Sequence, residues 1–95
     1  MGARVFFSPV AESEIRAIGE YIARDNPRAA ARFVSQLRER CLSLSEFPNR
    51  GRPFEAGSRV VLVGKYLIIY EITQVESEQI VLILTVRHGA RDEIT

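Results

Sequence analysis

A single cysteine, a single histidine and the lack of any long apolar run set the first limits on this sequence. With Cys41 alone, no disulfide can form within the chain, which agrees with a reducing compartment. Cys41 also lies on an apolar helical stripe, the position of a packing cysteine rather than a reactive one. No apolar stretch approaches the roughly 20 residues needed to cross a bilayer. The opening MGARVFFSPVAESE lacks the apolar core of a signal peptide, so a cytoplasmic protein with no membrane partner is expected. His88 is the one side chain of the type that titrates near neutrality. There is no pair of carboxylates, no Cys/His metal spacing and no glycine-rich phosphate loop, so no metal or cofactor is expected. What is present suffices for one domain, residues 1–95, since 46% of the chain is hydrophobic.

Lysine is also scarce, and the net charge is only +1. That balance argues against general polyanion binding, but the charges are unevenly spread. Between Pro48 and Tyr70 stand Arg50, Arg52, Arg59 and Lys65 against Glu55, and the tail adds Arg87 and Arg91 against Asp92 and Glu93. Arginine offers a rigid donor fork suited to carboxylates and phosphates. An acidic protein or nucleic acid could meet such a face, although solvated or paired arginines explain it equally well.

The most apolar part of the chain is RVVLVGKYLIIYEI, Arg59 to Ile72, two β-branched runs around Gly64-Lys65. It predicts a hairpin with a type II′ turn, because glycine takes φ > 0 without a steric cost. Ahead of it, Ala3 to Phe7 predicts a short strand. Ser8 and Pro9 then open a helix as N-cap and first residue, with Glu12 and Glu14 near its positive end. Ala11, Ile15, Ile18 and Ile22 form its apolar stripe. Asn26-Pro27 starts a second helix, whose stripe of Ala30, Phe33, Val34, Leu37, Cys41 and Leu44 predicts a run to about Phe47 before Pro48 stops it. So tight a link predicts an antiparallel helical hairpin. Residues 48–58 read as an irregular loop, 74–79 as a polar connection, and Ile80 to Val86 as a strand. Phe7, Phe33 and Phe47 are expected in the core, and Tyr66 and Tyr70 with their hydroxyls at its margin.

The expected fold is therefore α+β, ordered β-α-α-β-β-β, with the helical hairpin packed on a mainly antiparallel sheet. Two helices, each about 10–12 Å across, cover only one face of four strands spaced about 4.8 Å apart. Because the hairpin arms and the strand 80–86 hardly alternate polar with apolar residues, burial on both faces is expected. A monomer would then expose an apolar patch, the mark of a partner surface.

Four motifs in order, EYIARDNPRAAARF at 20–33, FPNRGRP at 47–53, SRVVLVGKYLIIYEI at 58–72 and ILTVRHGARD at 83–92, together resemble the ParE toxins of the RelE/ParE toxin–antitoxin superfamily. The resemblance implies the fold just described and a ParD-like antitoxin, whose flexible C-terminal segment wraps the toxin and whose N-terminal part dimerises on operator DNA. DNA would thus be met only indirectly, and folding on binding would supply the missing cover.

Two activities are implied for the free toxin. ParE-like members inhibit DNA gyrase as binding proteins. RelE-like members cut messenger RNA in the ribosome, which needs groups to activate a hydroxyl, neutralise phosphate and protonate the leaving oxygen. Those members typically carry charged or titratable residues at points that fall here on Leu67, Gly89 and Thr95, which favours gyrase inhibition. Arg59, Lys65, Arg87, His88 and Arg91 are the candidates for target binding, and Arg50, Arg52, Tyr66 and Tyr70 for antitoxin binding. A nuclease site improvised around His88, or a non-toxic co-repressor module, are the alternatives.

Overall fold

The computed structural model describes residues 2–89. Strand β1 (Arg4–Phe7) leads into helix α1 (Pro9–Ala23) and helix α2 (Pro27–Ser43). Strands β2 (Arg52–Pro53), β3 (Arg59–Val63), β4 (Tyr66–Val75) and β5 (Glu78–His88) follow. They form one mixed sheet of order β1-β5-β4-β3-β2, in which only β1 and β5 run parallel. The α+β order expected from sequence is the one found. No helix among the described residues is long and apolar enough to cross a membrane.

Both helix starts follow from local chemistry. Ser8 Oγ accepts the Ala11 N–H at 3.0 Å, and Asn26 Oδ1 accepts the Ala29 N–H at 3.1 Å. Each cap is followed by a proline, whose missing N–H would have had no helical partner. Apolar stripes on both helices then close over one face of the sheet. Ala11, Ile15, Leu37, Cys41 and Leu44 meet Val61, Ile68, Tyr70, Val81, Ile83 and Val86 in a single core.

The first turn of α1 is fastened to an irregularity in β5. Tyr70 pairs with Ile83 but Ile69 with Thr85, so Leu84 is the extra residue of a β-bulge. The bulge redirects main-chain groups, and α1 takes them. Ser8 donates through N–H to the Ile83 carbonyl at 2.9 Å and through its hydroxyl to the Leu84 carbonyl at 2.7 Å. Glu14 Oε1 accepts the Thr85 hydroxyl at 2.7 Å and the Val86 N–H at 2.8 Å.

Four sequence expectations change. The loop 48–58 contributes a fifth, two-residue strand, because Arg52 and Pro53 pair with Val60 and Arg59. The polar connection 74–79 is mostly strand, closed by a two-residue turn at Glu76-Ser77. Cross-strand pairing of Thr73, Gln74 and Val75 with Ile80, Gln79 and Glu78 needs main-chain partners, not apolar side chains. Helix α2 stops at Ser43, where shorter bonds such as Ser45 N–H to Leu42 O tighten the last turn. Phe47, beyond that end, is 57% exposed with the Arg50 guanidinium 5.0 Å over its ring, and so is not a core residue. The central hairpin does turn in two residues, with Gly64 at φ +58°.

Candidate binding surface

The face of the sheet under the helices is committed to the core, which leaves the opposite face for a partner. Strand alternation puts Phe6, Val60, Leu62, Leu67, Ile69 and Leu82 there. Val60 and Ile69 are shielded, but Leu62 is 50% and Phe6 43% exposed. The expected burial on both faces is thus only partly met within the chain itself. An open cleft of about 560 Å³ borders this face, walled by Arg52, Phe54, Val60, Leu62, Lys65 and Leu67. His88 and Gly89 also border it, and Glu55 is its one acidic neighbour among the described residues. Apolar walls with cations at the rim suit an amphipathic acidic segment, since rim charges steer approach while the apolar centre holds.

Two of the residues singled out from sequence, Tyr70 and Arg59, bond the main chain of the segment that leads to this cleft. Tyr70 is fully buried, and its hydroxyl donates to the Pro48 carbonyl at 2.6 Å while accepting the Gly51 N–H at 2.9 Å. Its expected place at the core margin, open to an antitoxin, is therefore corrected. The apolar β4 pattern turns this ring inward, and the main chain of residues 48–51 satisfies the hydroxyl. Arg59 is half-buried and donates from Nη1 to the Gly51 carbonyl at 2.6 Å. Together these two side chains pin the segment that carries Arg52 and Phe54. Gly51 is required there, as a Cβ would lie 2.7 Å from the Tyr70 hydroxyl.

The other candidates are more accessible. Arg50, Arg52, Lys65 and Arg87 are exposed, and Arg87 stands opposite Leu67 in the β4–β5 ladder. Tyr66 is half-buried between Phe33, with ring centroids 5.4 Å apart, and His88, edge-on at 5.2 Å. The Nδ1 atom of His88 is buried and has no hydrogen-bond partner among the described residues. Arg91 and Thr95 lie outside the described residues. Lys65, His88 and Arg52 thus meet at one cleft, whereas Arg50 sits apart on Phe47.

Gly89 closes the end of the hairpin. Its N–H donates to the Lys65 carbonyl at 2.7 Å, and a side chain at this position would begin 3.1 Å from the same oxygen. Sequence reasoning missed Phe54 and Leu62 as cleft walls, and it read Glu14 only as a helix-dipole residue. Alternation around the hairpin could have found Leu62, but the bulge that recruits Glu14 leaves no pattern in the sequence. Among the described residues no His, Cys, Asp and Glu side chains gather in the groups of three or more that hold a metal ion.

Comparison with known proteins adds to this geometry. The family model described as "ParE toxin of type II toxin-antitoxin system, parDE" matches residues 5–93. Toxin RelE2 of Caulobacter vibrioides is 36% identical over 90 residues, 94% of this chain and 98% of that protein. A chain of the chromosomal ParDE TA system from P. aeruginosa superposes with a TM-score of 0.76, covering 90% of this chain and 95% of that one. At 21% identity that likeness speaks for the fold alone. A chain of the toxin-antitoxin complex RelBE2 from Mycobacterium tuberculosis superposes with a TM-score of 0.67 at 25% identity, covering 93% of this chain and 99% of that one.

Proposed function

Because the chain belongs to the ParE toxin family of type II toxin–antitoxin systems, we propose that its free form inhibits DNA gyrase by protein binding and is neutralised by a ParD-like antitoxin. The observation that carries the proposal is the outer face of the sheet, an apolar surface with Arg52 and Lys65 at its rim. Where nuclease members of the superfamily carry charge, this face presents Leu67 and a glycine pressed against the Lys65 carbonyl. Neither can move a proton or neutralise a phosphate, so a role in binding fits these residues better than a role in strand cleavage.

The antitoxin proposal rests on the same surface. An acidic amphipathic segment folding over Leu62, Leu67 and Phe54 would bury apolar area while pairing with Arg52 and Lys65. Arg50 and Tyr66 are the further candidates for its contacts, and Lys65, Arg87, His88 and Arg91 for those of the target. The family model and the M. tuberculosis relative carry names of toxin–antitoxin systems, which supports an antitoxin partner here. DNA would be reached only through that antitoxin.

One observation favours a second reading. His88, Lys65 and Arg52 border one cleft, a proton carrier beside two cations, and the Caulobacter relative is named RelE2. Ribosome-dependent cleavage of messenger RNA would use such a group. Purified chain added to gyrase and relaxed plasmid, with ribosome-bound messenger tested on the same preparation, separates the two. Lost supercoiling with intact messenger is expected; codon-positioned cuts with gyrase untouched would replace the binding proposal with the nuclease.

A further inference from the structure

Buried positions on β5 keep a period of two and then break it. Val81 and Ile83 are fully buried under the helices, and the next residue buried there is Val86. A regular strand would instead have turned Thr85 and Arg87 under the helices, because each step of one residue changes the face. The extra residue at Leu84 prevents this. Past the bulge, Val86 returns to the core opposite Ile68, Arg87 starts on the outer face opposite Leu67, and His88 comes edge-on to Tyr66 with ring centroids 5.2 Å apart. Where Arg87 and His88 point is therefore decided upstream of them, by the bulge.

A bulge takes main-chain groups out of the ladder, and each then needs another partner. Ser8 serves the Ile83 and Leu84 carbonyls on its near side. Glu14 alone serves the side that leads to Arg87, where its Oε1 accepts the Thr85 hydroxyl at 2.7 Å and the Val86 N–H at 2.8 Å. Val86 is 3% exposed, so water is a poor substitute for that oxygen. Glu14 precedes the fully buried Ile15 on α1, and the packing of that residue fixes where the carboxylate stands.

We propose that Glu14 is a positioning residue for the target surface: by bonding Thr85 and Val86 it keeps the bulge, and the bulge faces Arg87 outward and seats His88 on Tyr66. This role rests on Arg87 and His88 contacting the target. Glu14 acts through them, by the oxygen that it offers and not by its charge. Leu62 on β3 and Phe54 beside β2, which would meet the antitoxin, lie across the sheet from β5 and do not depend on the bulge.

The test compares the full chain with Glu14→Ala, which loses both bonds, Glu14→Gln, which keeps an acceptor oxygen, and Thr85→Val, which loses one bond. Gyrase supercoiling and ribosome-bound messenger are assayed on each preparation, with antitoxin affinity by calorimetric titration. In whichever assay the native chain is active, Glu14→Ala should lose at least fivefold in potency while antitoxin affinity stays within twofold, a split that general destabilisation would not produce. Glu14→Gln should stay within twofold on both, and Thr85→Val should fall between. By NMR, Glu14→Ala should shift the His88 and Tyr66 ring resonances and speed amide exchange at Val86 at least tenfold. Should Glu14→Ala not fold, Thr85→Val carries the same measurements with smaller changes of the same sign. Equal losses in Glu14→Gln and Glu14→Ala, parallel losses of potency and antitoxin affinity, or unchanged His88 resonances and Val86 exchange would each overturn the proposal. A native chain inactive in both assays would refute the target reading instead, and the resonances would still decide the role of Glu14.

Discussion

Replacing Tyr70 with phenylalanine tests whether the outer-face cleft is held from inside the molecule. The substitution removes one oxygen and leaves the buried ring in place. Two groups lose their partner together, the Gly51 N–H that had bonded at 2.9 Å and the Pro48 carbonyl at 2.6 Å. Gly51 is buried and Pro48 half-buried, so water replaces the hydroxyl poorly. Leaving a buried polar group unsatisfied costs about 1–3 kcal/mol. With one group buried and the other partly reachable, about 2 kcal/mol of destabilisation is expected, near the middle of that range. For a domain of this size each kcal/mol lowers Tm by about 4–8 °C, so the shift should be about 8–16 °C. Urea and thermal unfolding followed by far-UV circular dichroism would measure it, as the chain has no tryptophan. The variant should also show faster amide exchange confined to residues 48–58. A loss under about 0.5 kcal/mol, the scale of an ordinary surface substitution, would refute the reasoning, because the hydroxyl would then not be holding the segment.

Leu62→Glu, on a half-exposed side chain at the outer face, should weaken antitoxin binding by at least tenfold, read by calorimetric titration, while moving the midpoint of urea unfolding little. Arg38 bonds the Glu12 carboxylate at 2.8 Å and holds it below the ordinary carboxylate range, chiefly through that hydrogen bond. The folded pKa is thus the lower one, so the stabilisation is present above the unfolded value of about 4.3 and fades as pH falls through the folded value. Both side chains are well exposed, which limits the effect to a few tenths of a kcal/mol. Urea titrations of the native chain and Glu12→Gln between pH 7 and pH 3 should converge at the acid end. Burial pushes the Cys41 thiol up to about 12, slightly offset by Arg38, so a thiol-reactive disulfide reagent should label it only as fast as the chain unfolds. Rapid labelling in native buffer would contradict the packed core.

The elements that sequence made legible are those whose causes are local. Ser8-Pro9 and Asn26-Pro27 announced both helices, because a cap and a fixed φ act over three or four residues. The Gly64-Lys65 turn was legible for the same reason. Misreadings arose where a distant group decides. Tyr66 and Tyr70 lie four residues apart on one strand and look alike in sequence. Residues 48–51 bury the hydroxyl of Tyr70, while Tyr66 falls beyond that loop, beside Phe33. Phe47 read as core by extending the helical period, but α2 had already ended. The bulge at Leu84 has no local signature at all, and with it went the part played by Glu14. The outer-face cleft was foreseen as a surface in need of cover, from counting helices against strands, though not as the cleft that Phe54 helps to wall.

The parallel pairing of β1 with β5 bears on when this protein can become a toxin. Ser8 and Leu84, bonded across the start of α1, stand 76 positions apart. On a ribosome the first strand and both helices emerge long before the strand that joins them, and contacts of such span form late in folding. Until β5 has been made, β1 has no strand to pair with, and Ser8 and Glu14 have no bulge to bind. A stalled or truncated chain that lacks residues 78–88 therefore lacks the strand that joins β1 to β4 and cannot complete the sheet. Synthesis itself supplies an interval in which the antitoxin can be waiting before there is anything to neutralise.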